Sequence, residues 1–284
     1  MQRRWRNLVI TFANHKGGVG KTTLTLALAF YLKNRFPDKN VLLIDLDPQS
    51  NLTTSLTLGI PSKTVLDAFH DVIKGEFEDS RIYVWESDVI PGYYLLPSSL
   101  DMIKEESQLA VSAFKPTELL QPITESAAQY YDFIIIDTPP SLGLWTRNAL
   151  MASDYVIVPT LFDDISLYGL NDILLQVYMA RQNRGDRPVL AGIIGNRLDL
   201  RYKVHHRNYQ MLKKNMGDRF VEPPIPTSSR GAGSVKTLYN AIIKGDRARL
   251  RNSLIGVFDA ILKRIEEEEE AKREQKEKIS AKED

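Results

Sequence analysis

Cysteine is absent from the 284 residues, which excludes disulfides, thiolate zinc sites, iron–sulfur clusters and cysteine nucleophiles. Long apolar runs are missing too, since no stretch approaches the ~18 consecutive apolar residues of a membrane-spanning helix. The first apolar run, Leu8–Ala13, leads into polar residues rather than a small-residue cleavage site, so it indicates a strand and not a signal peptide. We therefore expect a soluble, cytoplasmic protein.

The chain also has no marked excess of positive or negative charge, since it contains 37 Lys and Arg residues and 36 Asp and Glu residues. The balance is uneven along the chain. Residues 266–284 hold nine acids and five bases, which leaves 32 of the bases and 27 of the acids in residues 1–265. We predict one modestly basic domain over 1–265. The segment 266–284 has too little apolar area to offset its ordering entropy, which predicts a charged tail that is either a solvated helical extension or disordered and flexible.

Short apolar runs rich in β-branched residues recur along the body, as is typical of strands buried on both faces of a parallel sheet. Helical patterns separate them, and Lys21–Phe36 is the clearest because its apolar residues form one stripe and Pro37 follows. This alternation predicts an α/β fold with one open, mostly parallel sheet and helices on both faces. The predicted strands are Leu8–Ala13, Val41–Asp45, Phe133–Asp137, Tyr155–Pro159 and Val189–Ile194, and a last helix is predicted at Ser253–Ile265.

A glycine-rich loop joins the first strand to the helix that begins at Lys21. Its glycines let backbone N–H groups curl around a phosphate, and the helix N-terminus adds partial positive charge. In such a loop Lys21 neutralises phosphate oxygens and the Thr22 hydroxyl is a ligand for Mg²⁺. The alternative is a strand-to-helix turn with two exposed lysines. We predict a nucleotide phosphate site formed by Gly17, Gly18, Val19, Gly20, Lys21, Thr22 and Thr23, with a second lysine, Lys16, beside it.

Acidic residues follow two of the predicted strands. Asp45 and Asp47 stand at the end of the second strand, and Asp137 ends the Phe133–Asp137 run. Because the carboxyl ends of parallel strands meet at one edge of the sheet, we expect all three near the phosphate loop. A nucleotide–Mg²⁺ site needs oxygen ligands for the ion and a carboxylate that orients the attacking water.

The loop departs from the standard phosphate-loop pattern, because His15 stands where that pattern has glycine and Lys16 adds a second lysine. The loop sequence Lys-Gly-Gly-x-Gly-Lys-Thr resembles the deviant Walker A motif of the ParA/MinD superfamily of ATPases. Segment 45–51 resembles the first switch of ParA-type sequences, and segment 133–140 resembles their Walker B strand and second switch. Such matches extend over residues 8 to 250.

The resemblance implies a role for each of these residues. Lys21 would hold the phosphates of its own subunit, and Lys16 would reach across a homodimer interface to the ATP of the other subunit. Asp47 would position or activate the hydrolytic water, Asp45 would help to hold the water shell of Mg²⁺, and Asp137 would be the Walker B acid. Which of Asp45 and Asp47 matters more for hydrolysis stays open.

Asn196 follows the Val189–Ile194 strand. If the resemblance holds, its side chain would hydrogen-bond the edge of the adenine. An asparagine at the end of a strand also commonly makes a turn, and both interpretations stay open.

Basic residues are concentrated in 196–220 and again in 230–251. Such density suits a phosphate backbone bound without sequence specificity, although a basic stretch alone is more often a solvated surface. The resemblance implies that ATP-bound dimers bind DNA nonspecifically through these two regions. The candidate contacts are Arg201 and Arg230, followed by Lys203 and Lys236.

Two functions are therefore open. The first is a ParA-type partition ATPase on nucleoid DNA, released when a ParB-like centromere-binding or adaptor protein stimulates slow hydrolysis, which moves a plasmid, a chromosome or other cargo. The second is a MinD-like switch at a membrane surface that recruits a protein partner. That class ends in a basic amphipathic helix, whereas this chain continues into Glu266–Glu270, so no membrane partner is expected. A small-molecule ligase is disfavoured by Lys16.

Overall fold

A computed structural model describes residues 7–227, 234–245 and 248–283. The strands of this part of the chain form a single sheet. They are β1 Leu8–Phe12, β2 Val41–Asp45, β3 Trp85–Glu86, β4 Tyr94–Leu96, β5 Phe133–Asp137, β6 Tyr155–Thr160, β7 Val189–Gly195 and β8 Phe220–Val221.

The sheet has the order β3-β4-β2-β5-β1-β6-β7-β8, and all neighbours are parallel except β3 and β4. All five residues of β1, β2 and β5 are buried, which explains why these strands read as continuous apolar runs. Their register places Asp137 opposite both Phe12 and Asp45. The predicted acids and the phosphate loop therefore share the carboxyl edge of the sheet.

Helices cover both faces of the sheet, so the predicted fold class is confirmed. The helices are α1 Lys21–Arg35, α2 Asn51–Leu56, α3 Val65–Lys74, α4 Met102–Ser112, α5 Leu120–Ala127, α6 Leu144–Ala152, α7 Asp164–Arg184, α8 Lys203–Met216, α9 Val235–Ile243 and α10 Ala248–Glu283. One face packs on α1, α9 and α10, and the other packs on a layer that includes α3, α5, α6, α7 and α8. In the described ranges, no helix is both long and apolar enough to cross a bilayer.

The acidic segment is a helical extension, one of the two alternatives that the sequence leaves open. Helix α10 continues to Glu283, so no break in the helix separates this segment from the residues before it. The Glu269 carboxylate accepts hydrogen bonds from the Tyr155 hydroxyl at 2.6 Å and from Arg187, and Lys272 pairs with Asp186 at 2.8 Å. Charged side chains, rather than apolar area, therefore anchor the start of this segment to the body. The anchor lies near the amino ends of β6 and β7, opposite the edge that carries the phosphate loop.

Candidate nucleotide and magnesium site

The loop between β1 and α1 is held in a shape that requires glycine at two positions. Gly18 and Gly20 have φ angles of +74° and +99°, in the left-handed region that glycine adopts without strain. The buried Asn14 side chain donates to the Pro159 carbonyl at 2.7 Å and accepts from the Lys16 N–H at 3.0 Å. The carboxyl end of β6 thus fixes the first turn of the loop.

A cleft of about 510 Å³ opens above this loop, within the size range of small-ligand sites. The loop and the first turn of α1 form its floor. Asp47, Gln49 and Asn51 line one side, and Arg197 lies with Leu238 of α9 on another. The cleft therefore combines phosphate-binding backbone with polar and apolar side chains from three further segments.

Lys21 is almost fully buried at the base of this cleft, and its Nζ donates to the Lys16 carbonyl at 3.2 Å. Burial lowers the pKa of Lys21, while the nearby Asp137 and Asp47 carboxylates raise it. A buried cation that retains hydrogen-bonding capacity is suited to bind the phosphates of a nucleotide.

Asp137 and Thr22 provide the oxygen donors that a magnesium ion needs. The Thr22 hydroxyl donates to one Asp137 oxygen at 2.5 Å, and the other oxygen is buried without a hydrogen-bond partner in the described chain. Burial, followed by the charge of Asp45, raises the pKa of Asp137 well above its usual range. An unsatisfied buried carboxylate oxygen beside a threonine hydroxyl fits Mg²⁺, which would favour the ionised form.

No group of three or more His, Asp and Glu side chains in the described ranges could hold a metal ion alone. Magnesium usually keeps several waters and is bound by one or two protein oxygens together with substrate phosphates. The residues present therefore fit an ion that enters with a nucleotide.

Asp45 and Asp47, at the end of β2, lie in different surroundings. Asp45 is fully buried, and its oxygens accept from the Asp47 N–H at 3.0 Å and from both the N–H and the hydroxyl of Thr53, at 2.9 and 2.8 Å. Burial raises the pKa of Asp45 to about 7. Asp47 lines the cleft, accepts from the Gln49 N–H at 2.9 Å and has a pKa that burial raises. Asp47 thus reaches the nucleotide space, while Asp45 shapes the turn that carries it.

Lys16 lies on the rim of the loop, and its side chain contacts residues of its own chain. Its Nζ donates to Asp163 at 2.6 Å and to the Ser166 hydroxyl at 2.7 Å. Asp163 also accepts from the Ser166 N–H at 2.9 Å and so caps α7. The contact with Lys16 and Ser166 outweighs burial and lowers the pKa of Asp163. Asp163 therefore holds Lys16 as an ionised partner.

Asn196 contacts the phosphate loop from the opposite side. Its amide donates to the Val19 carbonyl at 2.8 Å, and a Cβ on Gly20 would lie 2.5 Å from its nitrogen. The predicted adenine contact stays a prediction. The sequence grouped the neighbouring Arg197 with the basic stretch 196–220 and did not indicate a place in the cleft, which Arg197 lines with a φ of +56°.

The candidate DNA contacts follow the carboxyl ends of the outer strands. Lys203 begins α8 and Lys236 lies in the first turn of α9, and both are exposed. Arg201 is exposed but pairs with Asp199 at 2.5 Å, which neutralises part of its charge. Arg230 lies outside the described residues.

Sequence reasoning missed Asp163 and Ser166 as partners of Lys16. They follow β6, the next strand along the chain after β5, whereas the predicted acids lie at the ends of β2 and β5. Their position at the carboxyl edge of a parallel strand was the available signal, since that edge is where such sheets bind ligands.

The sheet is open and mostly parallel, and a phosphate loop follows its first strand. Together with a buried lysine and a threonine–aspartate pair, these features define a P-loop ATPase that uses Mg²⁺. The comparisons with known proteins agree. A family model described as "AAA domain" matches residues 7–187.

The chain is 32% identical over 222 residues to the sporulation initiation inhibitor protein Soj of Bacillus subtilis, covering 78% of this chain and 85% of Soj. It is also 32% identical over 221 residues to the chromosome-partitioning ATPase Soj of Thermus thermophilus, covering 78% and 82%. Among solved structures, cobyrinic acid a,c-diamide synthase of Mycobacterium smegmatis, with a bound ATP analogue and magnesium, gives a TM-score of 0.66 at 29% identity over 84% of this chain and 94% of that one.

This chain belongs to the Soj/ParA family of partitioning ATPases. The predicted family and the predicted cofactors, ATP and Mg²⁺, are confirmed.

Proposed function

We propose that the ATP-bound protein is a homodimer that binds DNA nonspecifically and leaves it when a partner stimulates hydrolysis. The observation that best supports this proposal is the position of Lys16. It contacts Asp163 and Ser166 at the rim of the phosphate loop, while Lys21 lies at the base of the cleft. A second lysine outside the chain's own phosphate site is available to the nucleotide of a facing subunit.

Within one subunit the described residues divide the work of hydrolysis. Backbone N–H groups of the loop and Lys21 bind the phosphates, and Thr22 with Asp137 would hold Mg²⁺, which neutralises charge on the phosphate oxygens. Asp47 lines the cleft and is placed to orient the attacking water. Lys16 of the second subunit would add positive charge as negative charge develops at the transferred phosphate.

The exposed cations at the carboxyl edge of the sheet support DNA as the ligand. Lys203 and Lys236 stand at the starts of two helices on that edge, and Lys214 extends the exposed positive charge along α8. In the part of the chain that the structure describes, no ion pair neutralises any of these three lysines. Phosphate backbones bind such surfaces through charge, so the affinity should fall steeply with salt. We place the ATP-bound dimer on the nucleoid in the cytoplasm.

The MinD-like alternative is not favoured by any described feature. Six apolar side chains of α10 between Leu254 and Ile265 are buried in the core, so the described side chains of this helix present no apolar stripe to a lipid surface. A ParB-like protein that stimulates hydrolysis remains the partner we propose.

One binding assay, run in parallel on duplex DNA and on anionic liposomes, tests the proposal. We expect binding to DNA with Mg²⁺ and a non-hydrolysable ATP analogue, weaker binding with ADP, and none to liposomes. Lys16→Ala should abolish dimerisation in light scattering, while Lys74→Ala, a control at an exposed lysine of α3, should not. ATP-dependent liposome binding without DNA binding would overturn the proposal.

A further inference from the structure

The segment 161–164 between β6 and α7 contacts two functional regions at once. On one side, Asp163 holds Lys16 of the phosphate loop. On the other side, both neighbours of Asp163 in the chain contact α8, the helix that carries the basic surface. We call residues 161–164 the connecting loop.

Asn208 of α8 makes the polar part of this contact. Its side chain is fully buried, and its amide donates to the Phe162 carbonyl at 2.9 Å and to an Asp164 oxygen at 2.8 Å. Its carbonyl oxygen accepts from Arg207 at 3.1 Å. A buried amide with satisfied donors and acceptor resists displacement, because moving the loop alone would leave polar groups unpaired.

Phe162 makes the apolar part of the contact. Its ring is fully buried and lies 6.1 Å, between ring centroids, from both His205 and Tyr209 of α8. It also fills the space above Gly195 at the end of β7, where a Cβ would lie 2.3 Å from the ring. Because packed side chains transmit displacement, a shift of Phe162 should move the start of α8 with it.

We propose that the connecting loop couples the phosphate loop to the basic helix α8, with Asn208 as the positioning residue. When Lys16 leaves Asp163 for the nucleotide of a facing subunit, the connecting loop and α8 shift together. The exposed lysines of α8 thereby take a position in the ATP-bound dimer that differs from their position without nucleotide, and the ATP-bound position is the one that binds DNA. This inference rests on the proposed function for its DNA readout, but the contacts themselves predict a response of α8 to nucleotide without DNA.

The test compares wild type with Asn208→Ala and with Asn215→Ala, the same change at an exposed residue of α8. Fluorescence anisotropy gives the ratio of DNA affinities with and without the ATP analogue, which we expect to be about tenfold or more in wild type and Asn215→Ala. In Asn208→Ala the ratio should fall by about fivefold or more, with analogue affinity unchanged within about twofold. A residue that only stabilises the fold would weaken DNA binding in both states equally.

Hydrogen exchange of peptides from 203–216 supplies a readout that needs no DNA. Adding the analogue should change their exchange in wild type and leave it unchanged in Asn208→Ala. If wild type shows this response but no DNA binding, the proposed function is wrong and the coupling stands. If Asn208→Ala keeps the wild-type response in either assay, or wild type shows no response in α8, the coupling is wrong.

Asp164→Ala is a second variant for the case in which Asn208→Ala does not fold. It removes, at an exposed position, the acceptor that Asn208 shares with Arg207, and it leaves the Phe162 carbonyl paired with Asn208. The ratio of affinities should fall by about threefold, since one of two contacts remains. An unchanged ratio contradicts the proposal.

Discussion

Asp163→Asn should tighten the ATP-dependent dimer, because Asp163 competes with the nucleotide of the facing subunit for Lys16. Asparagine caps a helix about as well as aspartate, so the cap on α7 should survive. The change removes the negative charge 2.6 Å from the Lys16 ammonium and little else.

The size of the effect follows from the exposure of the pair. The side chains of Lys16 and Asp163 are 24% and 38% exposed, so solvent screening limits the contact to about 1 kcal/mol. A symmetric dimer breaks this contact twice, about 2 kcal/mol, which corresponds to a roughly 30-fold tighter dimer in the variant.

Sedimentation velocity with Mg²⁺ and a non-hydrolysable ATP analogue measures the dimer dissociation constant. Asp172→Asn is the matched control, since it removes an exposed acid from the same helix. If Asp163→Asn dimerises no more tightly than wild type, the contact does not oppose dimerisation and the reasoning fails.

Three further predictions concern other parts of the molecule. Burial raises the pKa of Asp45 from 3.8 to about 7, so the folded protein without nucleotide retains a proton that the unfolded chain loses. Its stability should therefore fall as pH rises from about 4 to 7, by up to about 4 kcal/mol, and Asp45→Asn should flatten the dependence of Tm on pH; an equally steep slope in the variant would disprove this. Deleting 266–284 removes Glu269, the shared partner of Tyr155 and Arg187, and should lower the free energy of unfolding by about 2 kcal/mol in urea, whereas deleting 274–284 should cost under about 0.5 kcal/mol. Equal effects of the two deletions would show that the anchor contributes nothing. Asn196→Ala should weaken ATP and GTP binding alike, by about fivefold in calorimetry, if its contact with Val19 is its main role. A loss confined to ATP would show that Asn196 also recognises adenine.

The central strands were predictable because they are buried on both faces. β2 and β5 match the predicted boundaries, and β1, β6 and β7 differ from them by one residue at the carboxyl end. β3, β4 and β8 were not predicted, since strands of two or three residues carry no periodicity to detect.

The site was predictable where one short segment contains all of its chemistry. The phosphate loop is such a segment, and the acids after β2 and β5 follow from the rule that ligands bind at the carboxyl edge of a parallel sheet. The contact of Lys16 with Asp163 joins residues 147 positions apart, and that of Tyr155 with Glu269 joins residues 114 apart. A local sequence pattern cannot predict either contact, because the two residues of each pair are brought together only when the sheet has folded.

In the proposed mechanism, Lys16 acts in the facing subunit while Lys21 acts in its own. Mixing Lys16→Ala with Lys21→Ala protein tests this division directly, with ATP hydrolysis measured in the presence of DNA. Each variant alone should be inactive, because every site lacks one lysine. In a mixed dimer the site of the Lys16→Ala subunit keeps its own Lys21 and receives Lys16 from its partner, so the mixture should recover up to roughly a quarter of the wild-type rate. If sedimentation velocity shows that the mixed dimer forms and the mixture still stays as inactive as either variant, both lysines act within one subunit and the proposed mechanism is contradicted.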